Sequence, residues 1–129
     1  LMAGNDIRNM DKKTFEILTN KNLIAIDQDP LGIPAFKFVD FGDQEVWIKP
    51  LADDEFAFCF FNRDDDPWKV DYPLSHEWLP DPDFDWAKYN IDGNYTVHDL
   101  WKDKVIGKSD KHYQGIVPPH DVVVLKLTK

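Results

Sequence analysis

Four aromatic side chains, Trp68, Trp78, Trp86 and Tyr89, punctuate a stretch otherwise dense in aspartate and proline. Flat amphipathic rings of this kind stack on the C–H faces of sugars, which makes them candidate saccharide contacts; the same rings serve equally well to cover a core. Within that stretch, Asp81-Pro82-Asp83-Phe84-Asp85 imitates the first half of a calcium loop, with Asp92 at the twelfth position. Trp86 occupies the sixth position, where the sharp turn needs glycine, and the twelfth position calls for a bidentate glutamate, so the run reads as a solvated acidic loop. His76, His98, His112 and His120 form no i, i+4 pair and have no companion cysteine, which excludes a zinc pattern. No metal and no cofactor is expected. Cys59 lies inside Phe56-Ala57-Phe58-Cys59-Phe60-Phe61, where it packs as a small hydrophobe; it has no disulfide partner and none of the electropositive exposure that activates a thiol. Asn94-Tyr95-Thr96 satisfies the N-glycosylation pattern at a strand entry, and neither a G-x-S-x-G nor a P-loop signature occurs.

Composition narrows the partners. The 129 residues carry a formal net charge of −9, with lysine and arginine dispersed, so a phosphate backbone or an anionic membrane surface would be repelled. No apolar run approaches the ~20 residues of a membrane span, and the opening residues show no basic region or cleavage pattern. Apolar residues make up 43% and aromatics 14% of the chain, enough to bury one core, whereas a complete (β/α)8 barrel takes ~250 residues.

The elements that would position these side chains change character along the chain. Over residues 11–28 the apolar spacing is helical: Asp11 suits an N-cap, Phe15, Ile17 and Leu18 follow, Asn20 interrupts, and a short second turn covers 23–28. Pro30 and Gly32 then end helical structure. Beyond Phe36, β-branched and aromatic runs alternate with Gly, Pro and Asp turns at sandwich spacing. Strands are expected at 35–41, 44–50, 55–62, 67–73, 94–101, 104–108, 110–117 and 121–128, with 75–93 as a long excursion between strands. The fold class is all-β, an antiparallel two-sheet Greek-key β-sandwich of about eight strands. Residues 56–61 and 122–125 are apolar on both faces, so their strands belong at the centre of a sheet whose outer face is also covered.

Specific motifs go further. The stretch Gly4-Asn5-Asp6-Ile7-Arg8-Asn9-Met10, then Glu16-Ile17-Leu18-Thr19-Asn20-Lys21, then Ile24-Ala25-Ile26-Asp27-Gln28-Asp29-Pro30-Leu31-Gly32, resembles glycoside hydrolase family 27, the α-galactosidase and α-N-acetylgalactosaminidase family. Glu45-Val46-Trp47, Lys49-Pro50-Leu51, Phe61-Asn62-Arg63, Asp99-Leu100-Trp101 and Val117-Pro118-Pro119-His120 follow in the same order. Residues 73–93 have no match in the pattern, and Asp27 stands where the family commonly carries asparagine.

The resemblance implies a C-terminal portion of a larger enzyme. Residues 1–33 would be the remnant of the last strand and helix of a truncated (β/α)8 barrel, and 34–129 the sandwich domain. It implies retaining hydrolysis of terminal α-galactosides by two aspartates about 5–5.5 Å apart. Neither family motif that carries those aspartates occurs here, so no catalytic residue is assigned and the fragment is expected to be inactive and structural. Asn5, Asp6 and Arg8 would sit at the C-terminal end of a barrel strand, the end that faces the active site. There they would either brace the reacting groups or close the barrel through an Asp6–Arg8 ion pair. The implied partners are the missing barrel domain and, through it, a carbohydrate; homo-oligomerisation stays open, and the family points to an extracellular, periplasmic or lysosomal setting. The alternative is a carbohydrate-binding module built on Trp68, Trp78, Trp86 and Tyr89.

Overall fold

The structure, a computed structural model, describes residues 21–81 and 84–129, and for 77, 78, 80, 81 and 84–88 the backbone alone. A short helix, α1 (Lys21–Asp27), precedes ten strands: β1 (Phe36–Asp40), β2 (Gln44–Pro50), β3 (Phe56–Asn62), β4 (Trp68–Tyr72), β5 (His76–Asp81), β6 (Phe84–Ile91), β7 (Thr96–Asp99), β8 (Lys104–Lys108), β9 (Tyr113–Val117) and β10 (Asp121–Thr128). Six form one antiparallel sheet in the order β1-β2-β3-β10-β7-β8. The strands with apolar runs on both faces, β3 and β10, lie side by side at its centre, paired from Phe56↔Leu127 to Asn62↔Asp121.

The opposing layer differs from a single continuous second sheet. It consists of two separate two-stranded pairs, β4 with β9 and β5 with β6. Residues 75–93, expected as an excursion, are thus mostly strand, which raises the count among the described residues from eight to ten. Proline tolerance explains the difference. Pro80 lies opposite Lys88 in an isolated pair whose register shifts on both sides of Leu79–Pro80, and a strand with a free edge can hold a residue that donates no ladder hydrogen bond. Leu79 and Ile91, on this hairpin, are among the most deeply buried side chains, so the hairpin closes the core rather than looping away from it.

Alternation puts Val46, Ile48, Phe58, Phe60, Leu125 and Leu127 on the inner face of the six-stranded sheet, all fully buried. They meet Val70, Tyr72, Tyr113 and Val117 of the β4–β9 pair in one cluster. Phe60 is its hub, with ring centroids 5.1 Å from Tyr113 and 5.7 Å from Tyr72. Asn62 ties the layers together at the end of β3: its buried Nδ2 donates to the carbonyls of Asp66 (2.9 Å), Val117 (3.1 Å) and Pro118 (3.2 Å), and its Oδ1 accepts from the Asp64 N–H at 3.0 Å. Gly42 makes the β1–β2 hairpin possible, because its φ of 94° lies in the left-handed region that side chains avoid; its N–H donates to the Asp40 carboxylate at 2.8 Å.

Candidate functional site

The outer face of the six-stranded sheet is assembled from the residues that alternate with the core positions. Register places them in three cross-strand rows over β2, β3 and β10: Glu45–Phe61–Val122, Trp47–Cys59–Val124 and Lys49–Ala57–Lys126. The centre of this face is apolar and half-buried. Its borders are polar and satisfied. Glu45, almost fully buried, accepts from Trp47 Nε1 at 2.9 Å and pairs with Arg63 at 3.1 Å and Lys37 at 3.6 Å. A buried carboxylate held by two cations and an indole is costly to disrupt, so this corner is rigid. On the opposite border Lys49 donates to the Ile33 carbonyl at 2.6 Å, and Lys126 pairs with Glu55 at 3.6 Å.

Helix α1 and the loop after it lie over part of this face. Asp29 anchors the loop: its Oδ1 accepts from Leu31 N at 3.0 Å and from Ala52 N at 2.9 Å, joining the linker to the turn between β2 and β3. Helical structure ends ahead of Pro30 and Gly32 as expected, and Asp29 holds the loop. Between Leu23 and Ile26 of the helix and Trp47, Cys59 and Val124 of the sheet a cleft of about 570 Å³ remains. Cys59 lines it, and burial first, then the nearby Glu45 carboxylate, push its thiol pKa up to about 12. The thiol therefore stays protonated near neutrality and offers no nucleophile.

The residues singled out in the sequence fall in several places. Asn5, Asp6 and Arg8 lie outside the described residues, as do the side chains of Trp78 and Trp86. Trp68 packs against Phe60 at 6.1 Å and Phe41 at 6.2 Å, while Tyr89 meets Phe56 edge-on at 5.8 Å. Phe56 and Phe60 are four residues apart on β3, roughly 13 Å at strand rise. The two described rings thus cover separate parts of the core instead of forming one platform.

The histidines also disperse. His98 bonds Thr128 Oγ1 at 3.0 Å, His112 meets Asp71 at 2.8 Å, His120 meets Asp65 at 2.7 Å, and His76 packs among Phe38, Phe58 and Tyr72. Among the described residues no three His, Cys, Asp or Glu side chains converge as metal ligands. Asp92 spends a carboxylate oxygen on the Asn94 N–H at 2.8 Å.

The Glu45–Lys37–Arg63 network escaped the sequence reading. Its one signal is parity: Glu45 shares the outward alternation of Trp47, which placed a carboxylate on an otherwise covered face.

Comparisons with known proteins agree with this geometry. Residues 41–127 match the family model described as the alpha galactosidase C-terminal beta sandwich domain. The chain is 39% identical to alpha-galactosidase A of Cellvibrio japonicus, over 99% of its own length and 31% of that protein's. It is 29% identical to the alpha-N-acetylgalactosaminidase of Gallus gallus, over 96% of its length and 29% of the relative's. Among solved structures, alpha-galactosidase I from Mortierella vinacea superimposes with a TM-score of 0.75 at 28% identity, over 98% of this chain and 31% of that one. The chain therefore spans about a third of the length of the relatives it matches.

Proposed function

The chain belongs to the C-terminal β-sandwich family of the glycoside hydrolase family 27 α-galactosidases and α-N-acetylgalactosaminidases, and from that premise we propose that it is the non-catalytic C-terminal domain of a retaining α-galactosidase. The catalytic work belongs to a preceding (β/α)8 barrel, in which two aspartates about 5–5.5 Å apart attack and protonate the glycosidic bond. The sandwich holds that barrel in its productive shape.

The observation that carries this reading is the outer sheet face. A stripe of Trp47, Cys59, Phe61, Val122 and Val124 with a rigid polar border is more apolar than a solvent-facing antiparallel sheet requires. The linker from the N-terminal side runs directly onto it and is pinned there by Asp29 and Lys49. In this reading residues 1–33 are the last barrel strand and helix, α1 being the final turn of that segment, and the barrel is the domain that completes cover of the stripe. Asn5, Asp6 and Arg8 lie outside the described residues; in this reading they either brace the reacting groups or close the barrel through an Asp6–Arg8 ion pair. Substrate reaches the protein through the barrel alone.

The test is hydrolysis. The purified 129-residue chain gives no turnover of an aryl α-galactoside above buffer, whereas sustained hydrolysis co-purifying with the chain would overturn the non-catalytic assignment.

A further inference from the structure

A second cleft, of about 350 Å³, opens at the far side of the sandwich, where β8 at the edge of the six-stranded sheet parts from β9 of the opposing layer. Its volume falls at the lower end of the ~300–1,000 Å³ range of small-molecule sites. Three lysines line it, Lys102 from the β7–β8 turn, Lys108 from the end of β8 and Lys111 from the β8–β9 turn. None of the three has a carboxylate partner among the described residues, although Lys37, Lys126 and Lys129 all do. In a chain of 24 acidic and 15 basic side chains, three unneutralised lysines around one opening need an explanation. The carboxylate at the floor, Asp99, accepts from the N–H groups of Trp101 (3.0 Å) and Lys102 (3.1 Å) through one oxygen and offsets part of the lysines' charge, one negative group against three positive ones in the lining. His112, on the rim, is already paired with Asp71.

The walls between the lysines are apolar. Ile106 and Ile116, both exposed, face the opening with Tyr113, whose phenol crosses Gly115 at a point where any β-carbon would collide with it. Gln114 adds an amide that both donates and accepts. The ligand that fits these walls carries an anionic head for the lysines and a compact body with one C–H face and several hydroxyls.

We infer that the β8–β9 cleft binds the carboxylate-bearing sugar of an acidic oligosaccharide, a uronic acid unit, and so tethers the domain to anionic glycan. Lys108 and Lys111 take the carboxylate, the exposed Ile106 and Ile116 take the C–H face of the ring over a floor closed by the buried Tyr113, and Gln114 takes a hydroxyl. A cationic cleft in an anionic protein focuses its field on such a ligand and not on the neutral galactoside of the proposed reaction. The saccharide identity rests on the reading of the chain as a glycosidase domain; the anion preference rests on the lysines alone.

Calorimetric titration of the 129-residue chain at low salt tests it with three probes: digalacturonate, neutral galactobiose and inorganic phosphate. The expected result is saturable binding of digalacturonate, at least tenfold weaker in 0.5 M salt, with galactobiose and phosphate each at least tenfold weaker. The pair Lys108→Ala and Lys111→Ala weakens digalacturonate at least tenfold and leaves the thermal unfolding profile unchanged, since both side chains are exposed. Equal binding of galactobiose, or no binding of digalacturonate, overturns the proposal; phosphate binding as tight as digalacturonate overturns the saccharide assignment. None of these outcomes alters the hydrolysis result, so the two readings fail separately.

Discussion

Phe58 and Phe61 stand three residues apart on β3 and meet opposite fates. Phe58 points inward, is fully buried and stacks near Phe60 and His76, with centroids at 6.3 and 6.4 Å. Phe61 points outward beside Glu45 and Val122 and keeps part of its surface in solvent. The inner face of the sheet is closed by the β4–β9 and β5–β6 pairs; among the described residues the outer face is closed only in part, by α1 and its loop. A strand apolar on both faces thus records two burial events, and the described residues complete one of them.

The largest expected effect comes from removing the inner ring. Phe58→Ala lowers stability by about 3–5 kcal/mol, the usual cost of a large core cavity, read as a lower urea midpoint of the 129-residue chain. The matched outward change is milder: Phe61→Ala costs roughly 1 kcal/mol, about half of what full burial of such a ring contributes. Equal losses at the two positions would mean that the outer face is as closed as the inner one, and the contrast would collapse.

The smallest effect is a pH dependence confined to the inner side. Burial holds the His76 imidazole pKa below its ordinary 6.5, and its Nε2 is buried with no hydrogen-bond partner among the described residues. The neutral ring suits the folded state, so its contribution is complete above pH 6.5. It is lost as pH falls from there toward the depressed folded value, because the unfolded chain binds the proton first. Thermal unfolding from pH 7.5 to 5 should therefore show a shallower decline for His76→Leu than for the unaltered chain; parallel declines would remove His76 from the account.

The central position of β3 and β10 was legible in the sequence because the signal was local. Runs 56–61 and 122–125 lack polar alternation, and only a central strand covered on both sides accommodates that. The eight expected strands all appear, with boundaries shifted by a few residues. The β5–β6 hairpin was not legible, since Pro80 and the flanking aspartates signal a breaker, and only an isolated two-stranded pair excuses them. Nor was the lysine cleft. Lys102, Lys108 and Lys111 come from two turns and the end of β8, and their convergence depends on how β8 and β9 separate, which no spacing rule encodes. Side chains on one strand announce their face through parity, whereas clefts between layers depend on packing that only coordinates supply.

The central claim is that the stripe around Cys59 is completed by a preceding catalytic domain. Hydroxyl-radical footprinting of Trp47 and Phe61, half-buried rings of the same stripe, measures it directly under native conditions, because oxidation of a ring follows its exposure and needs no ionised thiol. The chain alone is compared with a chimera in which it replaces the C-terminal third of the Cellvibrio japonicus relative. The account predicts several-fold lower oxidation of both rings in the chimera, with retained α-galactoside hydrolysis; equal oxidation in an active chimera would contradict it.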